Sequence, residues 1–268
     1  MPENPRSPTL DAILAVTRKR VEALKQRAGE LERAAQAGPP IRPFPGAPVT
    51  TVGVIAEVKR RSPSQGAIRE DLDPVAHARA YVRGGAVAVS VLTDEPHFGG
   101  SIDDLRSVAA AITAPVLRKD FVINEVQIHE ARAAGASAVL LIARIMNARQ
   151  LDGLASMVRW LDMVPLIEVH AAAELDAALA AGPSVVGVNA RDLDTLVVDL
   201  RGAEALIGQV PAGFQVVAES GVDTRADVER LAAAGADLVL VGTSVARQAN
   251  PEQAVNALTG VTRHNRNP

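Results

Sequence analysis

The chain has 268 residues and a formal net charge of −3. Hydrophobic residues make up 48% of the chain and aromatic residues only 2%. This length suits one α/β barrel of about 250 residues, and its core must be aliphatic. The acidic balance argues against a nucleic-acid partner, which needs a basic surface. Because the chain lacks cysteine, a disulfide scaffold, a thiolate metal site and a cysteine nucleophile are excluded.

No apolar run approaches the roughly 20 residues of a membrane span. The polar, proline-rich segment 1–8 has no apolar stretch typical of a signal peptide. We therefore expect a cytoplasmic protein with no membrane partner.

A helix is predicted from Leu10 to Ala35, with Thr9 as its N-cap, because apolar residues recur there at helical spacing. The basic run 18–20 within it is interpreted as a solvated face. Prolines and glycines between Gly38 and Pro48 predict that an irregular connector follows the helix.

Eight short apolar runs follow the connector, and helical segments separate most of them. The runs begin near Val54, Val87, Val116, Ala138, Val164, Val185, Val216 and Leu238. The helical segments include 74–83, 127–134, 171–181 and 225–234, and several end at a glycine, which readily adopts the left-handed conformation. Repeated strand–helix units predict parallel strands. No Gly-x-Gly-x-x-Gly or Walker loop follows the first strand, which disfavours an open nucleotide-binding sheet.

The sequence thus predicts an α/β protein, a single (β/α)8 TIM barrel with an extra N-terminal helix. We expect residues 1–268 to form this one domain, with 1–48 as a helical extension and connector and 49–260 as the barrel.

Polar residues stand at the ends of these apolar runs, where barrel enzymes carry their chemistry. They are Glu57, Lys59, Lys119, Glu168, Asn189, Arg191 and Glu219. A purely structural role is an open alternative for each residue, since Glu57 with Lys59, or Lys119 with Glu168, could form structural ion pairs. So many charged groups on one rim are nevertheless costly to desolvate without a functional reason.

The loops after the seventh and eighth strands indicate a phosphate site. Glu219-Ser220-Gly221 and Gly242-Thr243-Ser244 offer glycines, hydroxyls and backbone N–H groups, and a short helix is predicted over 243–247. This arrangement is the usual phosphate site of such barrels. Ser62 and Ser64, in the first loop, could add donors.

The remaining polar and aromatic residues give weaker signals. No histidine pair has metal-ligand spacing, and His77, His129 and His264 are interpreted as surface residues. His170 is interpreted as a loop residue rather than a base, and Trp160 as a packing residue on a helix.

Several segments closely resemble indole-3-glycerol phosphate synthases, in the family's order and spacing over roughly residues 10 to 255. The matching runs are Ile55–Gly66, Ser90–Ser101, Pro115–Phe121, Leu166–Val169, Gly187–Asp192, Val217–Gly221 and Val241–Ser244. The resemblance implies a decarboxylating lyase of tryptophan biosynthesis. Its substrate would be 1-(2-carboxyphenylamino)-1-deoxyribulose 5-phosphate, and its products indole-3-glycerol phosphate, carbon dioxide and water.

The resemblance also implies residue roles. Lys119 would be the general acid for ring closure, and Glu168 and Lys59 would serve the dehydration. Glu57 and Asn189 would orient the intermediate, and Glu219 joins this catalytic set. The substrate-binding residues would be Ser62, Arg191, Ser220, Gly221, Gly242, Thr243, Phe98, Phe121 and Leu92. Of these, Phe98, Phe121 and Leu92 would flank the aromatic ring of the substrate. A lysine desolvated beside other cations would have a lowered pKa, although neighbouring glutamates oppose that shift.

We expect no cofactor and no metal. The predicted partner is a small phosphorylated substrate, and the predicted state is a monomer that associates at most weakly with other tryptophan-pathway enzymes. Two rival functions stay open. One is a phosphoribosylanthranilate isomerase-like barrel, which Lys119 disfavours because that reaction needs a carboxylic acid and a base. The other is a phosphate-binding barrel without turnover, which would predict damage at Lys119, Glu57 or Glu168.

Overall fold

The computed structural model describes residues 10–45, 48 and 50–266. Its strands are β1 (Gly53–Val58), β2 (Arg61–Ser62), β3 (Gly66–Ala67), β4 (Ala88–Leu92), β5 (Val116–Lys119), β6 (Ala138–Ile142), β7 (Val164–Val169), β8 (Val185–Asn189), β9 (Gln215–Glu219) and β10 (Leu238–Val241). Strands β2 and β3 form an antiparallel hairpin, and the other eight close into a barrel in the order β1-β10-β9-β8-β7-β6-β5-β4. All eight neighbouring pairs are parallel. The predicted TIM barrel is confirmed.

Side chains on the barrel strands alternate between two apolar layers, as the two-residue period of a strand requires. Ile55, Leu117 and Leu166 pack together inside the barrel. Val54 and Ile167 instead belong to a larger layer that includes the inner faces of the helices. Because both faces of the sheet are covered, the strands are apolar along their length, and polar side chains concentrate at the strand ends.

The helices are α1 (Leu10–Lys25), α2 (Ala28–Gln36), α3 (Pro74–Arg83), α4 (Glu95–Phe98), α5 (Ile102–Ala111), α6 (Glu125–Ala133), α7 (Ala148–Trp160), α8 (Ala172–Ala180), α9 (Leu200–Ile207), α10 (Arg225–Ala233), α11 (Thr243–Ala246) and α12 (Pro251–Asn256), with a 3-10 turn over Ala143–Ile145. The four helices predicted between strands are present within two residues of their expected ends. Gly85 and Gly235 have positive φ values of 98° and 100°, which confirms their predicted role in helix termination.

The N-terminal extension differs from its prediction. Two helices, α1 and α2, stand where one was expected, and the chain turns at Gln26 and Arg27. Neither residue is a glycine or a proline, so the apolar periodicity gave no sign of the break. Helix α2 packs against α6, and this contact sets its direction. The predicted N-cap, Thr9, lies outside the described residues.

Three predicted environments are wrong. Arg20 was placed on a solvated face, but its guanidinium donates hydrogen bonds to both oxygens of the buried Asp120 carboxylate. His77 was placed at the surface, but it is buried against Tyr81. Trp160 was expected to pack against the protein from its helix, but it is 63% exposed. The first two errors reflect neighbours that only the tertiary structure supplies, and the third reflects an open position at the end of α7.

A buried carboxylate holds the C-terminal tail against the end of the barrel opposite the functional loops. Asp237, just before β10, accepts a hydrogen bond from the Val216 backbone at 2.8 Å. It also forms ion pairs with Arg263 at 3.0 Å and with Arg266 at 2.9 Å. The tail is thus fastened to two neighbouring strands. Among the described residues, no helix is both long and apolar enough to cross a membrane.

Candidate active site

A cavity of about 570 Å³ opens at the carboxyl ends of the barrel strands. All fifteen residues predicted to act in catalysis or substrate binding line it. Parallel strands bring their carboxyl ends to one rim, so side chains distant in sequence meet there. The structure therefore brings the whole predicted set together, while their individual roles stay predictions.

Two lysines in the cavity are paired with buried carboxylates. Lys59 Nζ lies 2.9 Å from Glu57 Oε1. Lys119 Nζ lies 2.9 Å from Glu168 Oε2 and 2.9 Å from Glu219 Oε2. The lysine side chains are 18% and 14% exposed, whereas the three carboxylates are at most 3% exposed. The ammonium groups therefore face the cavity, with the carboxylates behind them.

The pKa values of the neighbouring Glu168 and Glu219 carboxyl groups are shifted in opposite directions. Burial and the nearby Glu168 carboxylate raise the pKa of Glu219 to about 8, although Lys119 opposes that rise. Burial would also raise the pKa of Glu168, but Lys119 and His170 outweigh it and hold that pKa below its ordinary value. At neutral pH the pair therefore retains a proton, which resides mainly on Glu219.

Burial and neighbouring glutamates were expected to shift the pKa of Lys119 in opposite directions, burial downward. Burial does act in that direction, but the carboxylates of Glu168, Glu219 and Glu57 outweigh it and raise the pKa of Lys119 above its ordinary value. The sequence could not show that two carboxylates would contact the same ammonium group. Lys119 is consequently a fully protonated donor at neutral pH.

Two glycines provide the space for these carboxylates. A Cβ atom on Gly187, in β8, would overlap Oε1 of Glu219 on the neighbouring strand β9. A Cβ atom on Gly242, just after β10, would lie 2.6 Å from Oε1 of Glu57 on β1. No side chain fits at either position without moving a carboxylate. Gly187 was not among the predicted site residues.

The loops after β9 and β10 form a concave backbone surface with polar groups. Ser220 and Gly221 both have positive φ values, of 67° and 73°, which turn the chain sharply at the rim of the cavity. Gly242 precedes the short helix α11, which confirms the helix predicted there. Ser62 lies near Ser64, with 3.4 Å between their hydroxyl oxygens.

Arg191 adds a positive charge to the lining of the cavity. Its Nη1 donates a hydrogen bond to the Leu196 carbonyl at 2.9 Å, and it forms no ion pair within the described part of the chain. Burial lowers its pKa, and Asp223 and Glu57 only partly oppose the shift. The guanidinium is therefore available to an anionic ligand.

The other side of the cavity is apolar. Phe98 and Phe121 lie with ring centroids 6.4 Å apart, and Leu92 lies beside them in the lining. Sequence reasoning missed Leu10 and Ile13, which extend this wall from α1. Their helical spacing was the available signal, but it does not distinguish a helix that packs on the core from one that covers a cavity. Leu193, Leu196, Val198 and Leu200 were also missed.

A buried hydrogen-bond network fixes the end of β5. Asp120 accepts hydrogen bonds from Arg20 of α1, from Arg118, and from the hydroxyl of Thr93. Burial would raise its pKa, but Arg118 and Arg20 lower it to about 2. Because Lys119 and Phe121 flank Asp120, the network positions both of these cavity residues and attaches α1 to the rim.

The chain is similar to known proteins of one family over most of its length. A family model described as indole-3-glycerol phosphate synthase matches residues 10–258. A protein of that name from Micrococcus luteus is 50% identical to this chain, over 77% of both chains. Another from Mycolicibacterium smegmatis is 47% identical, over 87% of this chain and 86% of the relative. Another, from Mycobacterium sp. strain KMS, is 45% identical over 95% of both chains.

A solved structure of thiamine phosphate pyrophosphorylase from Pyrococcus furiosus has a TM-score of 0.59 and 17% identity, and it covers 77% of this chain and 93% of its own. At this identity the likeness concerns the fold alone.

Proposed function

The chain belongs to the indole-3-glycerol phosphate synthase family, and from this premise we propose how its cavity residues carry out the reaction. The expected family and activity are confirmed: a decarboxylating carbon–carbon lyase of tryptophan biosynthesis. The isomerase-like and non-catalytic alternatives are not favoured. The single observation that carries the proposed residue roles is the contact of the Lys119 ammonium with two carboxylates at the centre of the cavity.

The substrate has an anionic phosphate at one end and an aromatic ring at the other, and the cavity has matching sides. Strands β5 and β9 lie opposite one another in the barrel order. We place the phosphate at Ser220, Gly221, Gly242, Thr243 and Ser62, mainly in the loops after β9 and β10, where such barrels usually bind phosphate. We place the ring against Phe98, Phe121 and Leu92 beyond β5. The reacting ketone then lies between them, near Lys119. Arg191 and Lys59 supply positive charge for the substrate carboxylate.

Ring closure forms a bond between the carboxylate-bearing ring carbon and the ketone carbon. The ketone oxygen gains negative charge as this bond forms, and Lys119 donates a proton to it, which leaves a hydroxyl group. Glu168 and Glu219 hold the ammonium in place through both 2.9 Å contacts. The ring then loses carbon dioxide, and the electrons of the broken bond restore its aromaticity.

Dehydration completes the indole. The new hydroxyl leaves as water after it accepts a proton, and the intermediate gives up a proton of its own. We assign Lys59 as the donor and Glu168 as the acceptor. Glu57, at 2.9 Å from Lys59, and Asn189 would orient the intermediate. These assignments keep every proton transfer within the cavity.

We also propose a cytoplasmic monomer formed as one domain, associating at most weakly with other enzymes of the pathway. A charged phosphate ester does not cross a membrane unaided, which favours a location where the pathway supplies it. Light scattering at two protein concentrations tests the monomer.

The direct test mixes the purified chain with 1-(2-carboxyphenylamino)-1-deoxyribulose 5-phosphate and follows indole fluorescence. Parent turnover is expected, with a loss of roughly 10²-fold or more in kcat for Lys119→Ala. Lys19→Ala, at an exposed lysine of α1, is the matched control and should retain full activity. Binding of this compound without turnover by the parent would contradict the synthase function.

A further inference from the structure

His170 lies directly behind a proposed catalytic carboxylate. It follows the last residue of β7, and its side chain is only 3% exposed. Nε2 is 3.3 Å from Glu168 Oε1. His170 is not among the residues that line the cavity, so the imidazole contacts Glu168 from the side away from substrate.

The next helix fixes the backbone at His170 and places a carboxylate near the imidazole. The backbone N–H of His170 donates a hydrogen bond to Glu174 Oε2 at 2.7 Å. The same oxygen lies 3.7 Å from His170 Nδ1. Glu174 is in the first turn of α8, so the start of that helix and the end of β7 are linked through one carboxylate.

Glu168 is therefore held through both of its oxygens. Oε2 accepts a hydrogen bond from Lys119 at 2.9 Å, while Oε1 faces His170. The terminal torsion of a glutamate is broad and roughly two-fold, so it has little preference of its own. A contact on Oε1 is needed to keep Oε2 directed toward Lys119 and the cavity.

We propose that His170 is a positioning residue for the ring-closure and dehydration reaction, in which the close contact of its Nε2 with Glu168 Oε1 keeps Oε2 presented to Lys119. The inference rests on the proposed function, in which Glu168 acts as a base. Glu174 in turn holds the backbone at His170.

Charged groups around the two residues define the expected pH behaviour. Lys119 and Glu219 face Glu168 from β5 and β9. Glu174 faces His170 from α8, with Arg144 beyond it. Burial would raise the pKa of Glu174, but hydrogen bonds from His170 hold it below its ordinary value. Removing the imidazole leaves Glu168 with one fewer stabilising partner, so its pKa should rise.

The main test compares His170→Leu with His170→Gln in steady-state turnover. We expect kcat to fall about 10-fold or more in His170→Leu, with KM changed by less than about 3-fold, because His170 does not line the cavity. The acid limb of the kcat profile should move to higher pH. Gln places an amide N–H near the position of Nε2, so His170→Gln should recover most of kcat and the parent acid limb.

Three further variants separate this role from a structural one. His77→Leu removes another buried histidine, on α3, whose ring contacts the Asp73 carbonyl, and it should leave kcat and the pH profile unchanged. Glu174→Gln tests the same contact if His170→Leu does not fold, and it should lower kcat by about 2-fold to 5-fold and shift the acid limb upward. Glu168→Gln should be inactive.

The outcomes distinguish the inference from its premise. If the parent does not turn over the substrate, the proposed function fails and the inference fails with it. If the parent is active and Glu168→Gln is not, but His170→Leu keeps the parent kcat and acid limb, only the positioning role is wrong. A failure of His170→Gln to restore activity in a folded protein would also overturn it.

Discussion

Lys119 reaches across the barrel mouth to Glu219, although the two residues end strands on opposite sides of the barrel. Lys119 Nζ and Glu219 Oε2 are 2.9 Å apart. The contact places the cationic group at the centre of the rim rather than against its own strand. It also brings the Glu219 carboxyl beside Glu168, where the two carboxyl groups share one ammonium group and retain one proton at neutral pH.

Glu219→Gln should change the pH dependence of stability. The pKa of Glu219 is raised from 4.5 to about 8, so between these values the folded protein retains a proton that the unfolded chain releases. This contribution is complete below the unfolded pKa and is lost as the pH rises through the folded one. The free energy of unfolding of the variant, relative to the parent, should therefore rise by on the order of 1 kcal/mol or more between pH 5 and pH 8.

Urea unfolding at pH 5, 6.5 and 8 measures this change. Glu22→Gln, at an exposed carboxylate of α1, is the control and should follow the parent. A constant difference between Glu219→Gln and the parent across the three pH values would show that Glu219 does not titrate in this range.

Gly187→Ala should impair catalysis in a folded barrel. The new Cβ would overlap Oε1 of Glu219 and push that carboxyl away from Lys119. We expect kcat to fall about 10-fold to 100-fold, with a modest loss of stability. Gly153→Ala, on α7 with open space around it, is the matched control. Unchanged kcat in Gly187→Ala would mean that Glu219 can move without consequence.

Arg20→Met should weaken the attachment of α1 to the rim. The side chain keeps its apolar stem but loses both hydrogen bonds to Asp120. We expect a loss of about 1 to 2 kcal/mol in the free energy of unfolding. KM should rise, since α1 carries Leu10 and Ile13 of the apolar wall. Arg18→Met, exposed on the same helix, should change neither quantity.

The barrel and its rim were predictable because the strands of this chain are so apolar. All eight strands, and the glycines that follow several helices, could be located from pattern alone. Each polar side chain at a strand end therefore stood out, and the fifteen predicted residues line one cavity.

Features that depend on a distant partner were not predictable. Arg20 and Asp120 are 100 positions apart, and nothing local distinguishes Arg20 from the exposed Arg18. The raised pKa of Lys119 requires carboxylates from β7 and β9. Gly187 looked like an ordinary strand residue, because its role is to leave space for the Glu219 carboxyl on the neighbouring strand. The same holds for His170, whose proposed role depends on the direction of its ring.

Asp237→Asn should lower stability without affecting turnover. Asp237 is buried and pairs with Arg263 and Arg266, so the variant leaves two guanidinium groups with a neutral partner. We expect a loss of about 2 to 4 kcal/mol in the free energy of unfolding, with kcat within about 2-fold of the parent because the chemistry is at the other end of the barrel. Asp152→Asn, exposed on α7, is the control. A change in kcat would contradict this separation of the two ends.

Trp160 gives the molecule a useful optical property. It is the one tryptophan in the chain, and its indole ring ends α7 in largely open solvent. Its emission should therefore stay constant while substrate enters and leaves the cavity. Trp160→Phe should yield an enzyme that retains turnover and contributes no indole emission of its own. In such a protein, all indole fluorescence would come from newly formed product, and a single turnover could be followed at enzyme concentrations that otherwise hide the signal.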